Sequence, residues 1–248
     1  MNLQLQNEQL QGETQMQIRS YVYLLLCCFS SVALAQNSQN SKFAGPYAQF
    51  GVGYQTASPS FSNTSLSAAG QSLTPNISVS NASGFTGTFA AGYNFLSGTP
   101  LLLGLGIEYT PFPTSDASAS ASYSGSVGTY QNSASVHINN SLNIFLAPGL
   151  ALDQSKLLYV KVGYTGSSAN GVNTDFYMGG TSLGFGYKQI IGTGLYGFAE
   201  YNYVNYGSLN RTLSGTLKTP SNISVPATLN STVTATTSTL LFGLGYQF

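Results

Sequence analysis

Residues 240–248 read Leu-Leu-Phe-Gly-Leu-Gly-Tyr-Gln-Phe, and this stretch decides the fold. Its apolar side chains alternate with small or polar ones; they are Leu240, Phe242, Leu244, Tyr246 and Phe248. A period of two describes a β-strand with one apolar face, and glycine recurring on the other face argues against a helix. A tilted strand of about nine to eleven residues crosses a hydrocarbon core. The stretch therefore predicts a strand that spans a membrane.

The composition favours a membrane β-barrel over a soluble or disordered chain. Charged residues make up 6% of the 248 residues, against about 25% in an ordinary soluble domain. The 17 tyrosines and 14 phenylalanines argue against disorder. The sequence has no apolar run of about 20 residues that would form a spanning helix. Its zero net charge gives no reason to expect nucleic acid as a partner.

The same alternation recurs in seven more segments, at 48–55, 85–95, 101–110, 136–146, 158–165, 182–188 and 195–203. Connections of about five residues (96–100, 152–156 and 190–194) alternate with long ones at 56–83, 111–135, 166–176 and 207–233. An even strand number and this asymmetry are typical of bacterial outer-membrane barrels. We therefore predict an all-β, eight-stranded antiparallel up-and-down transmembrane β-barrel over residues 46–248. It would have short periplasmic turns and long extracellular loops, and lie in the bacterial cell outer membrane.

The long segments are rich in Ser, Thr, Asn, Ala and Gly, which favours flexible solvated loops. The alternative is that some of them extend the barrel wall above the membrane. The residues that hint at extra strand are Phe61, Leu66, Val79, Tyr123, Val127, Ile223 and Val225.

The start of the chain is predicted to be a secretory signal peptide, residues 1–35. An apolar run of about fifteen residues follows Arg19 and ends in Ala-Leu-Ala at 33–35, a small-x-small cleavage pattern. Met16 is an alternative initiator. Cys27 and Cys28 lie inside this leader, so the mature chain would carry no disulfide. A short polar linker, 36–45, would then precede the barrel.

Few charged residues fall on the predicted inner face, and they are the candidates for a working element. They are Glu108, Lys161, Lys188 and Glu200, with His137 beside them. A lone charge in a narrow lumen is costly, so we expect a paired, neutral polar network. Counting residues from the periplasmic turns puts Lys161 and Glu200 at similar heights, with Lys188 nearer the periplasmic mouth. Such a network would plug the barrel; the sharper alternative is a gate that passes ions.

The sequence offers little for catalysis or metal binding. One histidine and no mature cysteine exclude a His/Cys zinc site, and the sparse acids do not form a calcium loop. His137 could act as a general base. Its near same-face partners are Ser135 and Asn139, and it is predicted to face inward. We expect no catalytic residues, no metal and no cofactor.

Three stretches resemble the small outer-membrane β-barrel superfamily, which includes OmpA-like transmembrane domains and opacity-type surface proteins. They are Phe-Gly-Val-Gly-Tyr at 50–54, Phe-Ala-Glu-Tyr at 198–201 and Phe-Gly-Leu-Gly-Tyr-Gln-Phe at 242–248. The resemblance implies that Phe242, Tyr246 and Phe248 form the signal read by the outer-membrane assembly machinery. The fold is well specified by this resemblance, and the function is not.

Three functions follow as hypotheses. The leading one is a non-enzymatic surface barrel with a structural, adhesion or loop-presenting role. Its partners would be outer-membrane lipid, the assembly machinery and a host or cell-surface ligand. The second is a narrow porin-like channel gated by the lumen Lys/Glu pairs. The third is a lipid-modifying outer-membrane enzyme that uses His137 as its base.

Overall fold

The computed structural model describes residues 41–96, 100–112, 116–171 and 174–248, and every regular element in them is a β-strand. The predicted signal peptide lies outside the described residues, as do Met16 and residues 36–40 of the predicted linker. No helix in the described ranges is long and apolar enough to cross a membrane.

Eleven strands form one antiparallel sheet. In chain order they are β1 (Gly45–Ala68), β2 (Gln71–Leu73), β3 (Asn76–Val79), β4 (Ala82–Leu96), β5 (Leu101–Thr110), β6 (Ala117–Gly125), β7 (Gly128–Ala151), β8 (Lys156–Gly171), β9 (Thr174–Ile190), β10 (Leu195–Lys218) and β11 (Ser224–Gln247).

Eight of these strands close into a ring, in the order β1, β4, β5, β7, β8, β9, β10, β11 and back to β1. Because β11 pairs with β1, the ring has no free edge, which is the condition for a sheet that spans hydrocarbon. The predicted eight-stranded antiparallel barrel is confirmed. Tight turns between β7 and β8 and between β9 and β10 lie where the sequence predicts them, at the periplasmic end.

Strand alternation separates an apolar outer face from a lumen of small and polar side chains. On β11, Phe242 and Leu244 point outward and pair with Val52 and Phe50 of β1, while Leu241 points inward and is fully buried. The same outward band continues around the barrel through Phe89, Leu103, Leu105, Ile107, Leu142, Ile144, Leu146, Leu158, Val160, Leu183 and Phe185. This lipid-facing band is where acyl chains would contact the protein.

The long segments are strand rather than irregular loop. β1, β10 and β11 each run for 24 residues, far beyond what a membrane crossing needs, and β6 and β7 form a hairpin. Residues 58–79, 117–136 and 207–233 make up this extracellular extension. Its alternate side chains bury an apolar cluster inside it, made of Leu66, Ala68, Ala121, Tyr130, Leu217, Ala227 and Leu229. Of the sequence hints, Leu66, Tyr123, Val127 and Val225 join this upper cluster, which explains why the wall continues.

Candidate functional site

The charged cluster of the lumen is built by three strands that face one another across the barrel. Lys161 of β8 places its Nζ 2.9 Å from Oε2 of Glu108 on β5 and 2.8 Å from Oε1 of Glu200 on β10. All three side chains are buried, at 2%, 7% and 2% exposure. One ammonium therefore bridges two carboxylates. The residue count that put Lys161 and Glu200 at one height agrees with this contact.

Neutral donors complete the coordination of Glu200. The hydroxyl of Tyr159 donates to Oε2 at 2.6 Å, and the amide of Asn202 donates to Oε1 at 2.7 Å. A buried carboxylate costs least when charge-assisted hydrogen bonds occupy its lone pairs. The Phe145 ring lies 4.4 Å from the Lys161 Nζ and covers the ammonium from the other side. Direct contacts with charged, neutral and aromatic groups therefore hold the lysine and the carboxylate in place.

Lys188 lies below this cluster in a different environment. Its Nζ is 4.1 Å from the centroid of the Tyr47 ring, 4.9 Å from that of Tyr196 and 5.2 Å from that of Tyr159. Among the described residues no carboxylate lies within ion-pair distance of it. Aromatic faces attract a cation through their quadrupole, and more strongly when water is excluded. The second lysine is thus held by three rings, whereas the sequence suggested a partner carboxylate.

Glycine makes room for these rings. A Cβ at Gly186 would overlap the Tyr159 ring, and one at Gly245 would overlap the Tyr196 ring. The three tyrosines around Lys188, here called the Lys188 cage, were not identified from the sequence as functional residues. A signal was available for two of them, because Tyr159 and Tyr196 occupy inward positions and each pairs with a glycine of the neighbouring strand. At these two positions the glycines of the inner wall make room for large side chains.

Residues 41–44, the end of the predicted linker, close the periplasmic mouth. Phe43 is fully buried and contacts the Tyr196 ring edge-on at a centroid distance of 6.0 Å. The Asn94 amide donates to its carbonyl at 2.8 Å, and the Gln247 amide donates to the Ala44 carbonyl at 3.1 Å. This periplasmic strap is tied to both β4 and β11. One void in the lumen, lined among others by Asn94, Lys161 and Lys188, measures about 10 Å³, roughly the room needed by one water molecule.

His137 is not part of the lumen cluster. A β-bulge between Ile138 and Asn140 of β7 inserts one extra residue, which reverses the facing of the strand above it. Ile138 therefore packs inward against a small cluster of Met178, Tyr206 and Ala235. His137 lies on the opposite face, where its Nδ1 is 3.1 Å from an oxygen of Asp116. The prediction that His137 lines the lumen is wrong for this reason.

The three candidate assembly residues lie together on the outer face at the periplasmic end of β11. Phe242, Tyr246 and Phe248 are all exposed toward the lipid side, and the Tyr246 and Phe248 rings are 5.1 Å apart. For metals, no group of three or more His, Cys, Asp or Glu side chains is brought together in the described part of the chain. The expectation of no metal and no cofactor stays a prediction.

Comparison with known protein families shows which family this barrel belongs to. A family model described as "Outer membrane protein beta-barrel domain" matches residues 24–248. The chain therefore belongs to the outer-membrane β-barrel proteins, and its location is the bacterial outer membrane. No similar sequence was found among the curated proteins.

Solved structures of similar shape come from several bacteria. The outer membrane protein OprG from Pseudomonas aeruginosa is 13% identical, with a TM-score of 0.54 over 85% of this chain and 99% of its own. Ail, the attachment invasion locus protein of Yersinia pestis, is 14% identical, with a TM-score of 0.39 over 82% and 99%. The outer membrane protease OmpT from Escherichia coli is 11% identical, with a TM-score of 0.41 over 86% and 100%. The similarity to OprG shows the fold alone, and the role is argued from the residues.

Proposed function

We propose that this protein is a non-enzymatic, non-conducting surface barrel that uses its extracellular extension for adhesion. The observation that carries the proposal is the contrast between its two halves. The lumen is filled by paired and packed side chains, while the strands continue as an ordered wall well outside the lipid-facing band. Insertion by the assembly machinery through Phe242, Tyr246 and Phe248 is part of the same proposal.

The lumen supports the non-conducting part at three levels. The periplasmic strap buries Phe43, the bridge of Lys161 spans the interior above it, and the upper cluster of apolar side chains fills the extension. An ion crossing this path would have to separate a buried ion pair, and then pass through an apolar layer. Both steps carry large desolvation costs.

The outer face of the extension supports the adhesive part. Above Leu240, the outward positions of β11 are Ser238, Thr236, Thr234, Thr232, Asn230 and Thr228, all hydroxyl or amide side chains. Neighbouring strands continue this surface, since Thr212 donates to Asn230 at 2.8 Å and Thr232 donates to Asn210 at 2.9 Å. A fixed array of neutral donors and acceptors suits polar ligands better than lipid.

Planar-bilayer recording on the refolded mature protein tests the closed lumen. We expect no unitary conductance steps from the wild type. Phe43→Ala removes the plug of the strap, and the ion bridge and the upper cluster should still block the path. Regular steps from the wild type would overturn the non-conducting part and favour the porin-like alternative. A gate would also show steps that disappear in Lys161→Met.

Adhesion is tested with cells that express the protein, on a layer of host cells. Thr228→Glu combined with Thr232→Glu puts two charges on the hydroxyl face, and we expect bound cells to fall toward the level without the protein. Gln154→Glu combined with Thr193→Glu adds the same charge at the periplasmic turns and should leave adhesion unchanged. Equal adhesion of both variants and wild type would reject the adhesive role.

A lipid-modifying hydrolase is the second candidate, favoured by the contact of Asp116 with His137. The bulge of β7 turns His137 to the outer surface, and a carboxylate on the imidazole Nδ1 is how a general base is oriented. The test compares the outer-membrane lipid profile of cells that express the wild type with that of cells that express His137→Ala. An unchanged lipid profile between the two removes this candidate.

A further inference from the structure

The extracellular extension contains a cleft where β7 approaches β10. Thr129 of β7 pairs with Lys218 of β10, and this is the register pair that joins the two strands there. A cavity of about 680 Å³ lies at this junction. Pockets for small ligands usually enclose about 300–1,000 Å³. The cavity is thus large enough for a ligand of two or three sugar rings.

The wall of the cleft is a polar surface set by strand register. Asn76 of β3 pairs with Ser122 of β6, which pairs with Gln131 of β7, so these three side chains form one row on the exposed face. Adjacent strands are about 4.8 Å apart, so amide and hydroxyl groups recur at that interval along the row. Tyr123 also lines the cavity, but the alternation of β6 turns its ring to the opposite face, where it packs against the upper cluster. The exposed wall of the cleft therefore offers amide and hydroxyl groups.

The charge of the cleft is positive. Lys218 is exposed at its upper end, and no carboxylate lines the cavity among the described residues. The acid of the same hairpin, Asp116, precedes β6 at its opposite end and contacts His137 there. A lone ammonium among neutral donors selects for an anionic group on a polar ligand.

We propose that this cleft binds an acidic saccharide, that is, a short glycan carrying a carboxylate or a sulfate. The anionic group contacts the Lys218 ammonium, and the sugar hydroxyls exchange hydrogen bonds with Gln131 and the rest of its row. The inference deepens the proposed adhesive function and rests on it, because it names the ligand class that the extension would meet on a host surface.

Binding is measured by titration of the full mature chain in a sugar-free amine-oxide detergent. The probes are sialyllactose, sulfated lactose, plain lactose and inorganic sulfate. We expect both acidic sugars to bind more tightly than lactose by about fivefold, the strength of one exposed charge pair. Lys218→Gln should abolish that difference. Lys42→Gln, an exposed lysine at the periplasmic end, should preserve it.

The neutral row is tested separately. Gln131→Ala with Asn76→Ala should weaken all three sugars, including lactose, because it removes hydrogen bonds that do not depend on charge. If sulfate alone binds as tightly as sulfated lactose, the cleft is an anion site and the saccharide proposal is overturned. The proposal is also overturned if Lys218→Gln leaves the preference for acidic sugars unchanged.

The outcomes separate this inference from the function on which it rests. Absent sugar binding together with normal adhesion of expressing cells would overturn the saccharide site alone. Acidic-sugar binding by the purified protein together with absent adhesion would overturn the adhesive function and leave the binding site standing.

Discussion

At the scale of single residues, the lumen depends on one lysine that serves two carboxylates. Removing the Lys161 ammonium leaves Glu108 and Glu200 buried, close together and without their counter-ion. Breaking a buried pair in this way costs about 3–5 kcal/mol. Glu108→Gln should cost less, since Lys161 keeps its second partner. Residue 161 is therefore the most sensitive position of the cluster.

We expect Lys161→Met to lower the free energy of unfolding by about 3–5 kcal/mol. The measurement is urea unfolding in lipid vesicles, followed by the mobility of unheated samples on gels. Lys156→Met is the matched control, because Lys156 begins β8 with an exposed side chain and forms its ion pair with Asp153 at 3.1 Å, at the edge of the barrel. Equal unfolding midpoints for Lys161→Met and the control would contradict the structural role of the bridge.

Asp153 gives a second test at this scale, outside the membrane. The backbone amide and then the hydroxyl of Ser155 donate to it at 2.7 and 2.8 Å, and these bonds lower the pKa of the Asp153 carboxyl to about 2. Because folding depresses the pKa, its contribution to stability is complete above the ordinary aspartate pKa of about 3.9. It is lost as the pH falls through about 2.

We therefore expect the stability difference between wild type and Asp153→Asn to be present at neutral pH and to shrink as the pH falls from about 4 toward 2. Unfolding midpoints of the two proteins across this range measure it. A difference that stays constant with pH would show that the carboxylate charge is not what stabilises the turn.

At the scale of elements, the bulge of β7 determines which side chains in the upper half of the strand face inward and which face outward. Below it, Asn143 and Phe145 face the lumen; above it, Ile138 faces inward and His137 faces outward. A one-residue insertion exchanges the two faces of everything beyond it. The side chains that β7 presents on the outer wall above residue 140 thus depend on this bulge.

Cysteine labelling tests the bulge directly, because the predicted mature chain has no cysteine of its own. We expect a water-soluble maleimide to label His137→Cys quickly and Ile138→Cys slowly in the folded protein. In the denatured protein the two rates should be equal, which controls for local reactivity. The reverse order in the folded state would mean that β7 keeps one alternation throughout, as the sequence alone predicts.

The sequence predicted those features that follow from period-two alternation. The outward positions of Phe242 and Leu244, and the inward positions of Lys161 and Glu200, needed only the parity of each strand. The bulge at Ile138 could not be found this way, because both parities of β7 carry polar and apolar residues there. The Lys188 cage depends on rings from three different strands, which no local pattern relates. The strand extension was ambiguous because Ser and Thr suit both loops and exposed strands.

At the scale of the whole molecule, the outer surface changes character along single strands. On β11 the outward face runs from Leu244 and Leu240 in the lipid-facing band to Thr232 and Thr228 above it. Thr232 is about 26 Å along the strand from Leu240 at roughly 3.3 Å per residue. The barrel therefore carries its membrane boundary near residues 238–240 of this strand.

One pair of substitutions on the same face of β11 tests that boundary. Leu244→Lys places a charge among acyl chains, opposite Phe50 of β1. It should lower the free energy of unfolding in vesicles by about 2–4 kcal/mol, as expected near the bilayer midplane. Thr232→Lys makes the same charge on the same face, but in water, and should cost about 0–1 kcal/mol. Both proteins are folded into phospholipid vesicles and titrated with urea, with wild type in parallel. An equal loss of unfolding free energy at the two positions would contradict this boundary. The lipid-facing band would then continue beyond its apolar side chains, and the extension would lie within the membrane rather than outside the cell.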